Sequence, residues 1–243
     1  MRALILAAGT ASRLRPLTEH TPKCLLRIGQ RTLLERSMDA LVAAGVSEFC
    51  IVTGYLHEQI EHFVQHYYPA LRVTFIHNPV YDSTNNIYSL WLACPFAEGH
   101  DTLLLDSDLL YHPDIARRVV QSSEPNVLTL IRHPLGEEEM KVVLDGDGRI
   151  ADISKTCSPA QAAGESLGIE KMGADYTRAL YAELEAMMLS EHLQNTFYEL
   201  AFKRLLPQGH SFSILDVTEL FSCELDTVED FENARTIIPP ELF

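Results

Sequence analysis

The period of the apolar positions changes along the chain. RALILAA (2–8) is an apolar run of strand length and predicts a buried first strand. TLLERSMDALVAA (32–44) spaces its apolar residues helically, and Gly45 makes a natural stop. FCIVTGY (49–55) predicts a second strand, HEQIEHFVQHY (57–67) an amphipathic helix and RVTFIHN (72–78) a third strand. NNIYSLWLA (85–93) predicts a helix capped by Asn85 or Thr84, and DTLLLDSD (101–108) a buried strand ending in acids. Strands that alternate with helices imply a mostly parallel sheet with right-handed crossovers.

The second half has a different texture. NVLTLIRH (126–133) predicts a strand. MKVVLDGDGRIADIS (140–154) alternates apolar and polar residues on both sides of Asp-Gly-Asp-Gly, a hairpin signal. Residues 174–189 and 197–206 read as helices. The tail returns to strand at FSILDV, then to strand, acidic turn and helix at CELDTVEDFENAR. No linker or internal repeat interrupts the 243 residues, so the reading is one domain (1–243), with a nucleotide-binding half over about 1–125 and an acceptor-binding half over about 126–243.

Charge sharpens this picture. The formal net charge is −15, which disfavours nucleic acid and anionic membrane surfaces as partners. Yet residues 1–36 hold seven cations and two acids, net +5, leaving −20 for the rest. The cations follow directly on an apolar run that ends at Gly9. In open α/β sheets ligands bind beyond the carboxyl ends of strands. Three polar segments sit at such ends: AAGTASRLR, DSD at 106–108 and ELDT at 224–227. A glycine turn after a first strand lets backbone amides approach phosphates, and Arg13 and Lys23 add a bidentate fork and a point charge. Neither G-x-x-x-x-G-K-[ST] nor G-x-G-x-x-G is present, so this is not a Walker loop or a dinucleotide fingerprint.

Five cysteines, an odd number with no C-x-x-C pair, argue against a disulfide framework or a zinc site. The apolar runs are short for a signal core or a membrane helix, so a cytoplasmic protein with no membrane partner is expected.

LAAGTASRLRPLTEHTPK (6–23) resembles the signature of nucleotidyltransferases that activate phosphorylated sugars or alcohols with a nucleoside triphosphate. GYLHEQI, NNIYSLWLA, DSD, DGRIADISK, GESLGIEKMG and ELDTVEDF are similar, in order and spacing, to the bacterial phosphocholine cytidylyltransferase branch. One position departs: the second glycine of the loop is Ala11 here, which implies a slightly stiffer loop. The resemblance implies a three-layer α/β/α Rossmann-like fold with a predominantly parallel mixed sheet and an inserted β-hairpin. It implies catalytic roles for Arg13, Lys23 and Lys155, the last at the acceptor's phosphate. It places Leu6, Ala7, Ala8, Gly9, Thr10, Ala11, Ser12, Asn86, Ser89 and Asp106 around the nucleotide, and Asp108 and Asp226 on Mg²⁺. The substrates it implies are CTP and a small phosphorylated acceptor, phosphocholine first. 2-Aminoethylphosphonate and sugar or polyol phosphates stay open, as does a nucleotide-binding subunit without turnover. A homodimer is compatible with this reading.

The chemistry agrees. Nucleotidyl transfer needs positioning and charge neutralisation, and an acceptor phosphate is already ionised at neutral pH, so no His–Asp pair is required. The acidic remainder of the chain suits a cationic head group, to which Tyr81, Tyr88, Trp91 or Tyr198 could add a cation–π face and Glu137–Glu139 an acidic one. Plainer readings stand beside these roles: Asp108 and Asp226 as capping acids, Lys155 as a hairpin-edge lysine, Asn86 and Ser89 as caps, the aromatics as core. Three rival motifs are weaker. GESLG (164–168) matches a nucleophile elbow, but SPAQAA before it is not strand-like. HEQIEH lacks H-E-x-x-H spacing, and DGDGRIADIS lacks calcium ligands where a calcium loop needs them.

Overall fold

In the computed structural model, which describes residues 1–242, the first apolar run forms β1 (Arg2–Ala7). A loop with two 3-10 turns leads to a small hairpin, β2 (Arg27–Ile28) and β3 (Arg31–Thr32). Helix α1 (Leu33–Ala43) starts at a capping box between Thr32 and Glu35, which satisfies amides of its first turn. β4 (Glu48–Thr53), α2 (His57–Tyr67) and β5 (Arg72–His77) alternate as the pattern predicts. α3 (Asn86–Leu92) is capped by Asn85, and the short α4 (Cys94–Ala97) precedes β6 (Thr102–Asp106). β7 (Leu109–Tyr111) and α5 (Pro113–Gln121) follow.

β8 (Val127–Ile131) leads to the expected hairpin, β9 (Lys141–Leu144) and β10 (Ile150–Ser154). The Asp145 carboxylate accepts the amides of Asp147 and Arg149, so this acidic turn is closed on itself. β11 (Gly164–Met172), α6 (Ala174–Leu189), α7 (Glu199–Leu205), β12 (Ser213–Asp216), β13 (Ser222–Glu224) and α8 (Val228–Ile237) complete the described chain.

Nine strands form one sheet with elements from both halves. β5, β4, β1 and β6 are parallel neighbours. β11 then runs antiparallel between β6 and β8, and β12 closes this side parallel to β8. The β9–β10 hairpin pairs with the first residues of β11. The sheet is therefore mixed and predominantly parallel, with the inserted hairpin at one end.

Strand alternation sends successive side chains to opposite faces, and each face has its own core. Leu4 and Leu6 pack with Ile87 and Leu90 of α3, Leu180 and Leu184 of α6 and Phe202 of α7. Ala3, Ile5 and Ala7 pack with Met38 and Leu41 of α1, Ile60 and Val64 of α2 and Ile115 and Val119 of α5. The result is three layers, helix on sheet on helix. A third cluster joins Phe231 and Ala234 of α8, and Ile238 just after it, to Leu14, Leu26, Ile28 and Leu33. Each fully buried leucine there contributes about 2 kcal/mol, and the cluster seats the tail beside the loop after β1.

Besides the short β2, β3, α4 and β7, two longer elements escape the pattern. α5 is a short amphipathic helix that starts at Pro113, with His112 as its cap. β11 buries Ser166, Glu170 and Lys171 in the middle of the sheet. Polar residues at buried positions broke the apolar signal that marked the other central strands.

Candidate active site

The parallel register sets Leu6 beside Asp106 and Ala7 beside Thr53, so the carboxyl ends of β1, β4 and β6 open on one side. A cleft of about 550 Å³ lies there. Gly54, just past β4, has no room for a side chain: a Cβ would stand 2.5 Å from the Ala8 carbonyl oxygen and 2.6 Å from the Tyr81 Cβ. This close approach brings the loop after β1 against the segment before α3.

Leu6, Ala7, Ala8, Gly9, Ala11, Arg13 and Lys23 line the cleft on one side, and Asn86, Ser89, Asp106, Asp108, Lys155 and Asp226 also face it. Thr10 and Ser12 do not. Ala11 sits in the left-handed region (φ 47°), where a glycine would rest more easily. The chain turns there into the 3-10 segment Ser12–Leu14, which buries Leu14 and leaves Ser12 exposed. The Thr18 hydroxyl donates to the Ala11 carbonyl at 2.8 Å and fixes the turn.

The N-terminal excess of cations is not one anion site. Only Arg13 and Lys23 of the seven reach the cleft. Arg2 pairs with Glu48, Arg31 with Asp39, and Arg27 and Arg36 donate to backbone carbonyls. Lys23 Nζ donates to Asp108 Oδ2 and to Asp226 Oδ1, each at 2.8 Å, and Arg13 donates to Asp226 Oδ2 at 2.5 Å. Burial opposes the charge on Lys23, but Asp108 and Asp226 outweigh it and hold its pKa above the ordinary value. Burial likewise pushes the Asp226 carboxyl up, and Lys23 and Arg13 bring it below the usual range.

The tail delivers Asp226 without using it as a cap. Thr227 and Asp230 form the capping box of α8, which leaves Asp226 to the cleft. β13 pairs with β7, setting Glu224 beside Leu109, and the Leu225 amide donates to the Asp108 carbonyl. Carboxylate oxygens of Asp108, Glu224 and Asp226 thus lie within 4.8 Å of one another. Burial, then Asp108 and Asp226, raise the Glu224 pKa to about 8. Asp108 Oδ1 is buried with no hydrogen-bond partner among the described residues. Three hard oxygen donors, one of them orphaned, suit a divalent cation of the magnesium type.

The other wall comes from the second half. Lys155 follows β10, with its Nζ 4.6 Å from the centre of the Phe197 ring and 3.9 Å from Glu138 Oε2. Behind it, buried Lys141 donates to the carbonyls of Glu137, Glu139 and Lys155, tying the acidic loop to the Lys155 turn. Asn86 Oδ1 accepts the Tyr198 amide, and Ser89 accepts from Asn78 Nδ2. The Tyr198 hydroxyl donates to Asp106 Oδ2 at 3.0 Å. Burial and the nearby Asp108 push Asp106 well above the usual carboxylate range. Of the four candidate aromatics, Tyr81 lines the cleft, Tyr198 is core, and Tyr88 and Trp91 pack against each other beside the core. Ser166 lies inside β11, where its hydroxyl donates to Glu170; it is not at a strand-to-helix turn.

Residues 3–199 match the MobA-like NTP transferase domain. The chain belongs to this family and is a nucleotidyltransferase. It is 27% identical to the CMP-5'-(3-aminopropyl)phosphonate synthase of Streptomyces rubellomurinus over 96% of its own length and 38% of that protein's. It is 24% identical to the CTP:phosphoglutamine cytidylyltransferase of Campylobacter jejuni, covering 96% of this chain and 98% of that one. The CTP:phosphocholine cytidylyltransferase of Streptococcus pneumoniae superposes with a TM-score of 0.84 at 24% identity, over 98% and 99% of the two chains, and so shares the fold.

The family's cleft here includes residues that sequence reasoning missed. Glu224 ends β13 two residues before Asp226, and that i, i+2 spacing of acids was the available signal. Asn78, Thr84, Phe197 and Glu199 carried no motif; only the packing of α3 and α7 brings them in. Among the described residues no helix is long and apolar enough to cross a membrane.

Proposed function

We propose that the chain transfers CMP from CTP to a small phosphorylated or phosphonylated acceptor with a cationic head group, releasing pyrophosphate. The observation that carries this is the meeting, in one cleft, of Arg13 and Lys23 with the carboxylates of Asp108, Glu224 and Asp226. The names of the relatives support CTP. An acceptor oxygen attacks the α-phosphorus, and the bond from that phosphorus to the bridging oxygen of the β-phosphate breaks. Negative charge moves onto pyrophosphate. Arg13 and Lys23 donate to the triphosphate as that charge develops. Lys155 neutralises the acceptor's phosphate, so that two anions can approach. Asn86 and Ser89 face the base and ribose, with Asp106 near them, and the backbone of Leu6–Gly9 and Ala11 walls the phosphates. Mg²⁺, held by Asp108 and Asp226 with Glu224, would supply Lewis-acid stabilisation and a template when bound. The division of labour largely follows the two halves of the chain, with Glu224 and Asp226 of the second half joining Asp108 at the metal.

Phosphocholine is the acceptor that the sequence resemblance suggests, and aminoalkylphosphonates meet the same charge requirement. Pyrophosphate release with Mg²⁺ tests the reading, using four NTPs against phosphocholine, 2-aminoethylphosphonate, glucose 1-phosphate and inositol 1-phosphate. Turnover is expected with CTP and a cationic acceptor. The Asp108→Asn variant should keep its fold and lose more than about 100-fold in rate. Turnover only with a sugar phosphate, or a fully active Asp108→Asn protein, would overturn it.

A further inference from the structure

A side chamber of about 90 Å³ opens off the cleft behind Lys155, between the start of β11 and the start of α7. Lys155, Phe197 and Asp106 line both spaces, so the chamber begins where the acceptor's phosphate is proposed to sit. Its shape depends on a bulge in β11. Pairing with β8 shifts register between Ser166 and Glu170, and Gly168 takes a φ of +78°. A Cβ at Gly168 would lie 2.8 Å from Asp106 Oδ2, so the glycine keeps the chamber open at this point.

The walls are acidic. Glu199, the first residue of α7, is 7% exposed and faces the chamber. Its Oε2 is buried and has no hydrogen-bond partner among the described residues. Glu165 is close by, with one oxygen 2.6 Å from His133 Nε2. A buried carboxylate oxygen without a donor is costly, and a ligand that brings a charged donor removes that cost. Lys155 is the one cation among the described residues lining the chamber, and bound acceptor phosphate would claim it.

Resting on the cytidylyltransferase reading above, we propose that the acceptor's head group is a primary ammonium, received by Glu199 with Glu165, and that quaternary ammonium heads are rejected. A primary ammonium carries three N–H donors, enough for the orphaned Glu199 oxygen and the free side of Glu165. A quaternary ammonium carries charge but no donor, and its recognition relies on aromatic faces. Phe197 is the one aromatic among the described residues lining the chamber, and Lys155 already lies over its ring. Trimethylammonium would therefore bury the Glu199 oxygen against methyl groups and leave it unpaired.

Matched acceptors test this: phosphoethanolamine against phosphocholine, and 2-aminoethylphosphonate against its N-trimethyl and des-amino (ethylphosphonate) analogues, all with CTP and Mg²⁺. The parent should favour each primary amine by about 100-fold or more in kcat/KM, as sites built to hydrogen-bond a group do. In the Glu199→Gln protein, checked for folding by its melting curve, the preference for 2-aminoethylphosphonate over ethylphosphonate should fall at least 10-fold, mostly through KM. Equal or better turnover of phosphocholine by the parent overturns the proposal while leaving cytidylyl transfer intact. An unchanged preference in folded Glu199→Gln also overturns it. Silence with every acceptor and CTP would instead remove the reading on which it rests.

Discussion

Replacing Lys23 by methionine keeps much of the side chain's bulk and removes its charge. In the parent protein that charge holds Asp108 and Asp226 together, at 2.8 Å from each. At an effective dielectric near 20, each such pair is worth roughly 6 kcal/mol before desolvation is subtracted. Breaking a buried pair costs a net ~3–5 kcal/mol, because the partner charges are left uncompensated. The three side chains keep 12%, 21% and 31% of their exposure, so water screens part of the loss. The lower end of that range, about 3 kcal/mol, is expected. For a chain of this length it lowers the melting temperature by about 6–12 °C. The same substitution leaves three carboxylates facing one another with less positive charge nearby, which should tighten Mg²⁺ binding. Metal at about 100 times its dissociation constant adds ~2.7 kcal/mol. Mg²⁺ should therefore raise the melting temperature of Lys23→Met more than that of the parent, while CMP transfer falls by about 100-fold or more. Differential scanning fluorimetry over a Mg²⁺ titration reads the first two effects, and pyrophosphate release the third. A variant that melts within about 2 °C of the parent, less than ~1 kcal/mol, and responds equally to Mg²⁺ would refute the reasoning.

Two further expectations concern the buried acids. Burial, then Glu199, raise the Glu170 pKa to about 8, and burial raises that of Glu199 to about 7. The folded state thus holds protons that the unfolded chain releases above its ordinary carboxylate pKa of about 4.5. This stabilisation is full below that value and fades as pH rises through 7 to 8. The ligand-free protein should lose a few kcal/mol between about pH 5 and pH 9, and Glu170→Gln should flatten the slope; a melting temperature that is level or climbs over that range would count against the shifts. Gly168→Ala places a methyl group on Asp106 in a left-handed backbone. A loss of about 1–3 kcal/mol and a raised acceptor KM are expected, and a parent-like melting curve with parent-like KM would show that the chamber tolerates the group.

The parallel half was legible because its signals are local. RALILAA, FCIVTGY and DTLLLDSD carry uninterrupted apolar runs, and the structure places β1, β4 and β6 within two residues of them. α6 spans the residues that periodicity indicated. β11 was hidden because Ser166, Glu170 and Lys171 interrupt its apolar run; Ser166 lines the chamber and donates to Glu170, and Lys171 donates to the Ser122 carbonyl, so local pattern and final structure part there. In the site, Arg13, Lys23, Asp108 and Asp226 were each read from strand ends and motif spacing, and the fold brings them into contact from three distant stretches. Of the seven N-terminal cations, the fold sets Arg13 and Lys23, the two that motif spacing singled out, at the cleft, and the other five do not line it. Counting charges along the chain cannot say which arginines will be spent on neighbouring carboxylates and carbonyls. Glu199 was beyond reach, since nothing in YELAF marks its one acid as buried and facing a chamber.

Because β11 runs against its neighbours, its first residues, not its last, meet the cleft. The loops that would handle the nucleotide leave the sheet from parallel strands, whereas most of the chamber wall comes from residues 165–168 and from segments beside the hairpin and α7, with Asn86, Asp106, Leu109 and Glu224 completing it. The two proposed tasks therefore draw mostly on different lengths of chain, which meet at Asn86, Asp106 and Glu224, residues that line both the cleft and the chamber. A scaffold divided in this way can change what it accepts by rewriting one corner, and inherit unaltered the machinery that activates it.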